Sequence, residues 1–194
     1  NMTRIAHPPG VNLSGFFSSE KGVGEAARSD VRSLRAAGVP FVLHEEVDLG
    51  SENSVRVSGR RTADSPYDVN LIHMNADQLL HFHDRRGRRY FEGRYNIGCW
   101  AWEQSRFPDE WRGHFSRYQE IWSLSHFSAD AIACVSPIPV VRMPLALPAR
   151  LTPRPWPRAR LGLPRSAFVF LFTVAAIAAT SVVLRARLRK KYKW

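Results

Sequence analysis

The stretch VNLSGFFSSEKGVGEAARSDVRSLRAAGVPFVL, residues 11–43, decides the fold class. It opens on the apolar, β-compatible run Val11–Phe17 and breaks at Ser18-Ser19-Glu20-Lys21-Gly22-Val23-Gly24, where polar and glycine residues end a strand and open a helix. Ala26, Ala27, Val31, Leu34 and Ala37 then recur at near-helical spacing. One face of the helix is therefore apolar, and Gly38 is placed to end it. Phe41, Val42 and Leu43 form the next short strand. Strand, glycine turn, helix and strand make a βαβ unit, whose strands run parallel in one sheet.

The same alternation continues outward. A polar, arginine-rich excursion from Asp48 to Pro66 leads to an apolar run at Val69–Met74, and further strands are expected at Tyr95–Trp100, Glu120–Ser123 and Pro139–Arg142. Helices are expected around Pro108–Phe115 and Phe127–Cys134. Pro108 with Asp109 and Glu110 suits a helix start, because proline fits the first turn and acids favour the positive end of the dipole. The pattern predicts an α/β fold: a Rossmann-like, doubly wound, mostly parallel sheet in a single domain with an irregular basic C-terminal tail. From Pro144 to Pro164 prolines and arginines interleave and periodicity disappears, as in a linker. The expected division is a Rossmann-like domain over 1–143, a Pro/Arg-rich linker over 144–166, and over 167–194 the first strand of a second domain, Phe168–Phe172, followed by an apolar and basic tail.

With 44% hydrophobic and 11% aromatic residues the chain has material for a packed core, which excludes wholesale disorder. The formal charge of +11 suggests nucleic acid at first sight, but it is unevenly spread. All 17 acids lie at or before Asp130, and the first 130 residues carry 16 cations against them. The folded part is thus nearly neutral and the tail is basic; no zinc-finger spacing or aromatic RNA-binding motif accompanies the charge, so no nucleic-acid partner is expected. Cys99 and Cys134 form no CxxC pair and have no histidine at ligand spacing, so the sequence supports neither a disulfide framework nor a metal site. The first eleven residues lack an apolar signal core, and the expected location is cytoplasmic.

Three segments could carry chemistry, and a fourth is explained by helix capping. Gly22-Val23-Gly24-Glu25 follows the first strand, where free N–H groups at a helix start can meet phosphate, although a tight structural turn explains the glycines equally well. His73 ends an apolar strand and precedes Asn75 and Asp77, at the sheet edge where open α/β folds hold ligands. A histidine there can serve as acid or base, or simply tie a loop to backbone. Trp100-Ala101-Trp102-Glu103, with Phe107, Pro108 and Trp111, sets indoles around one carboxylate. Trp faces suit sugar rings and a carboxylate accepts hydroxyl hydrogen bonds, while packing in a core is the competing role for the rings. Ser125 or Ser128 is placed to cap the following helix.

Taken together, Gly22-Val23-Gly24-Glu25-Ala26-Ala27-Arg28, His73-Met74-Asn75-Ala76-Asp77, Gly98-x-Trp100-x-Trp102-Glu103 with Phe107-Pro108, and Glu120-Ile121-Trp122-x-x-Ser125-x-Phe127 resemble the N-terminal domain of bacterial family 4 glycosyltransferases. These are retaining enzymes of the two-Rossmann-domain (GT-B) type, often found in polysaccharide biosynthesis, and the resemblance runs from about Val11 to Phe172. It implies transfer of a hexose from a nucleotide sugar to a glycan or lipid-linked acceptor, with no cofactor. It places His73 and Glu103 as catalytic residues and Gly22, Val23, Gly24, Glu25, Asn75, Asp77 and Trp102 in substrate binding. The family's glutamate pair and its cations for the donor diphosphate belong to the second domain. Relatives continue past the Phe-Leu-Phe strand into an Arg-Lys-Asn-Pro segment, whereas this chain reads Thr173–Thr180 and then a basic end. The expectation is a truncated or frameshifted transferase, inactive alone. The rival expectation is a non-catalytic binding module attached to a membrane by the apolar residues 168–184 and their basic flank.

Overall fold

In the computed structural model the described residues are 7–147 and 156–170. The chain divides into two units, Asn1–Leu147 and Pro148–Trp194. The first carries a six-stranded, all-parallel sheet in the order β2-β1-β3-β4-β5-β6, formed by β1 Val11–Gly15, β2 Phe41–Glu45, β3 Val69–His73, β4 Tyr95–Cys99, β5 Glu120–Ser123 and β6 Val140–Arg142. This is the Rossmann-like α/β fold read from the βαβ unit. The strand order turns back between β1 and β3, which defines the switch point of the sheet.

Side chains alternate across the strands, so each strand contributes to two cores. On one face Leu13, Leu43, Leu71 and Ile97 pack against Ala27 and Val31 of α1, Gly22–Ala36. On the other, Ile72 and Ile121 join the aromatic residues Phe82, Tyr90, Phe91, Trp100, Phe107 and Phe115. These come from α2 Leu79–Arg86, α3 Arg88–Phe91, the loop after β4 and a 3-10 helix at Asp109–Arg117; Ile132 comes from α4, His126–Ala133. Helix α1 ends as its sequence suggests: Gly38 takes φ +67°, and Val39 N–H donates to the Leu34 carbonyl at 3.0 Å.

A polar row crosses the second face near the amino end of the strands. Asn12, Asn70 and Asn96 occupy the same register on β1, β3 and β4 and are buried. Asn12 Nδ2 donates to Asn70 Oδ1 at 2.9 Å, Asn70 Nδ2 to Asn96 Oδ1 at 2.7 Å, and Asn96 Nδ2 to the Phe91 carbonyl at 3.0 Å. Every link is satisfied, so a polar ladder is tolerated inside an apolar layer.

The boundary expected after residue 143 lies after Leu147: residues 144–147 belong to the first unit, where Met143 N–H donates to the Ser123 carbonyl at 2.8 Å, and Ala146 exchanges two hydrogen bonds with Ser29 of α1, at 2.8 and 3.1 Å. The helix expected around Pro108–Phe115 is present as a 3-10 helix, Asp109–Arg117, with Pro108 at its N-cap. In the second unit a short 3-10 turn, Arg158–Leu161, is closed by Gly162 at φ +65°. The Arg160 guanidinium lies over the Trp156 ring at 3.8 Å. Phe168–Phe170, expected to start a buried strand, is irregular and its phenylalanines are exposed; the rest of that expected strand, and residues 171–184 of the expected membrane segment, lie outside the described residues. Among the described residues no helix is long and apolar enough to cross a membrane.

Candidate functional site

The carboxyl ends of β3 and β4 stand side by side at the centre of the sheet, and the two loops that leave them form a cleft of about 300 Å³. Its lining includes Asn75 and Asp77, the cap and a member of the short 3-10 helix Ala76–Gln78 that follows β3, and Trp102, Glu103 and Gln104 from the loop after β4. Trp111 of the 3-10 helix completes the wall. The loops are fastened to each other and to their surroundings: Ala101 N–H donates to Asn75 Oδ1 at 2.9 Å, Ser123 Oγ to the Trp100 carbonyl at 3.0 Å, and Ser128 Oγ to the Trp102 carbonyl at 2.6 Å. Ser128 is itself positioned by the cap of α4, where Ser125 Oγ accepts from Ser128 N–H at 3.1 Å.

The three indoles divide between two roles. Trp100 is fully buried, stacked parallel on Phe107 with ring centres 5.7 Å apart. Its edge presses on β4, where a Cβ added to Gly98 would lie 2.9 Å from Trp100 Nε1 and 3.0 Å from Ile121 Cδ1. Glycine is required there by packing. Trp102 and Trp111 are half-buried and meet edge to face at 5.2 Å and 85°. Trp102 Nε1 donates to the Arg106 carbonyl at 3.0 Å, which holds the ring at the mouth of the cleft. Glu103 and Asp77 are exposed at the same mouth. The cleft therefore offers aromatic surface and carboxylate acceptors, with no lysine or arginine in its lining among the described residues. Such a surface fits an uncharged, hydroxyl-rich ligand and disfavours a diphosphate.

The glycine turn opens α1 at the same edge, since Gly15 of β1 and His73 of β3 are register partners. Its residues nevertheless line no part of the cleft. A Cβ at Gly24 would lie 2.3 Å from the Ser19 carbonyl oxygen and 2.8 Å from that of Phe16, so this glycine lets the helix press against its own entry loop. Gly22 faces open space, and Val23 packs against the aromatic core. Glu25 pairs with Arg28 at 3.0 Å and Arg32 at 2.7 Å, and Arg28 in turn donates to the carbonyls of Phe17 and Ser19. Burial works against the Glu25 carboxylate, and the Arg32 and Arg28 hydrogen bonds outweigh it, leaving its pKa lowered. Turn packing accounts for Gly24 and Val23, and charge pairing for Glu25.

His73 is separated from Glu103. It is buried on the α1 face, with Nε2 2.8 Å from Asp30 Oδ2 of α1. Cys99, at the end of β4, shares this place, and donor atoms of Asp30, His73 and Cys99 all lie within 4.8 Å of one another. Burial, with the carboxylates of Asp30 and Glu120 adding to it, holds the Cys99 thiol well above its ordinary pKa, so it is not a free thiolate nucleophile. Spacing in sequence could not reveal this cluster, because its members come from a helix and two strands. Of the expected site, then, Asn75, Asp77, Trp102 and Glu103 come together in one cleft, Gly22–Glu25 surrounds the start of α1, and His73 lies beneath that helix. No protein-family model matches the chain, and no curated protein matches it.

Proposed function

We propose that the chain is the acceptor-side half of a nucleotide-sugar-dependent glycosyltransferase and that the cleft between the β3 and β4 loops takes the acceptor sugar. The observation that carries this reading is the cleft itself: two half-buried indoles at right angles, two carboxylates, an asparagine and a glutamine, at the carboxyl edge of a parallel sheet. Trp102 gives a sugar ring apolar contact, and Glu103 and Asp77 accept hydrogen bonds from its hydroxyls. Glu103 is the group placed to take a hydrogen bond from an attacking hydroxyl. In the resembled family the nucleotide diphosphate is held by a second domain, which fits a cleft lined by aromatic and carboxylate groups. The parent enzyme would transfer a hexose with retention to a glycan or a lipid-linked acceptor.

The test is calorimetric titration of the purified chain with a panel of hexoses, short glycans and nucleotide sugars, read beside tryptophan fluorescence. Expected is a dissociation constant on the order of 1 mM, about −4 kcal/mol, for at least one glycan. Trp102→Ala and Glu103→Gln should each weaken it at least fivefold. Saccharide binding indifferent to both substitutions, or none at tens of millimolar, would remove the cleft from sugar recognition.

A further inference from the structure

The cluster of Asp30, His73 and Cys99 has no part in the cleft. We propose that these three residues form a site for a divalent transition metal of the zinc class. Their donor atoms, a carboxylate oxygen, an imidazole nitrogen and a thiol sulfur, all lie within 4.8 Å of one another. A tetrahedral ion with bonds of about 2.0 to 2.3 Å holds its donors roughly 3.3 to 3.8 Å apart, so movement confined to side chains closes the set around a metal.

The position is built by the fold. His73 and Cys99 end adjacent parallel strands and both face α1, while Asp30 comes down from the third turn of that helix. The closeness of α1 is fixed at Gly15, where an added Cβ would lie 3.0 Å from His73 Cβ and 3.1 Å from Ala27 Cβ. The partner of the Asp30 carboxylate is the imidazole, and among the described residues no lysine or arginine pairs with it.

Donor chemistry selects the ion. Thiolate and imidazole prefer zinc, cobalt and their neighbours over magnesium or calcium, which take oxygen donors. Three protein donors leave one position of a tetrahedron open, the pattern of sites that bind water or substrate and not of closed structural sites. Asp30 keeps 20% side-chain exposure, so the cluster is reachable from solvent. On binding, a metal–sulfur bond forms and the thiol proton passes to solvent. The proton shared between His73 Nε2 and Asp30 leaves that nitrogen, the bound ring carrying one proton on Nδ1, and the Asp30–His73 hydrogen bond is replaced by two metal bonds.

The experiment is cobalt titration of the chelator-stripped, full-length chain, followed by absorption spectroscopy. Expected is one equivalent of Co²⁺ giving a thiolate-to-metal charge-transfer band and intense tetrahedral d–d bands, both displaced by Zn²⁺. The spectrum should persist in Cys134→Ser, vanish in Cys99→Ser, and require at least tenfold more cobalt in His73→Gln and Asp30→Asn. Circular dichroism establishes folding of each variant. Should Cys99→Ser fail to fold, alkylation of Cys99 in the unsubstituted chain, mapped by mass spectrometry, must slow at least tenfold with one equivalent of Zn²⁺. No charge-transfer band, a band retained in Cys99→Ser or lost in Cys134→Ser, or alkylation indifferent to zinc overturns the proposal.

Discussion

Gly22 and Gly24 stand two residues apart in the first turn of α1, and the structure gives them opposite demands. Gly24 has backbone oxygens at 2.3 and 2.8 Å from where a Cβ would sit, whereas Gly22 has nothing within 4 Å. Gly24→Ala should therefore destabilise the fold by about 3 kcal/mol, the upper end of overpacking costs, because backbone yields less than side chain. Gly22→Ala should be neutral or stabilising by up to about 1 kcal/mol, through the smaller entropy of the unfolded chain. Urea denaturation of both variants checks the pair; equal effects would show that the turn responds to something other than packing. A second residue-scale outcome concerns His83, whose pKa burial, followed by the charges of Arg117 and His114, lowers to about 4 from 6.5. Above pH 6.5 the histidine is neutral in both states and adds no pH dependence. Between 6.5 and 4 the unfolded chain binds a proton that the native state refuses, so stability falls with pH and levels off below 4. The loss amounts to up to about 3 kcal/mol. His83→Gln keeps a partner for Tyr118 and should flatten that part of the stability–pH curve relative to the unsubstituted chain.

At the scale of elements, the asparagine row shows how β1, β3 and β4 are held in register. Asn70 donates to Asn96 Oδ1 and the Tyr90 carbonyl, both at 2.7 Å, and accepts from Asn12. Asn70→Leu orphans Asn96 Oδ1, while the Tyr90 carbonyl keeps Arg94 and Asn12 Nδ2 keeps the Tyr67 carbonyl; with roughly 1–3 kcal/mol of desolvation for an orphaned buried group it should cost about 1–3 kcal/mol, which chemical denaturation measures. The triplets Val11-Asn12-Leu13, Val69-Asn70-Leu71 and Tyr95-Asn96-Ile97 carry this ladder in plain view in the sequence. Hydropathy reading passes over it because an asparagine between apolar residues looks like an interruption and not like a link. The strands themselves were legible because buried parallel strands are near-continuous apolar runs, and β5 was read at its observed bounds, Glu120–Ser123. Helices α2 and α3 were not. Leu79–Arg86 bears two histidines, an aspartate and two arginines in eight residues, and its apolar contribution to the core is little more than Leu79 and Phe82. The part of the candidate cleft that was legible is the part that is local: Asn75 caps the short 3-10 helix Ala76–Gln78, 100–104 form one loop, and adjacent strands bring the two segments together. Asp30, His73 and Cys99 are joined only by the crossing of α1 over the sheet, which no spacing rule encodes.

For the first unit as a whole, the question is where its fold ends. β6 is one of the two edge strands and is only partly buried, with burial falling off toward Arg142. The chain then turns back over the α1 face, carrying one hydrogen bond to β5 through Met143 and two to Ser29 through Ala146. Ser29 is otherwise a fully buried hydroxyl on a helix. A strap of this kind closes the sheet from its sixth strand back to its first helix, so residues 143–147 act on a span of more than a hundred residues in sequence. A fragment of residues 1–147 should accordingly unfold in one cooperative transition. A fragment of residues 1–142 should be less stable by about 3 kcal/mol, at roughly 1 kcal/mol for each of three lost hydrogen bonds. Amide hydrogen exchange adds a spatial readout, because loss of the strap should raise exchange in β5, β6 and the middle of α1 while leaving β1, β2 and β3 protected. Equal stability of the two fragments, or exchange raised uniformly across the sheet, would show that the unit closes at Arg142 and that the strap is only a passing contact.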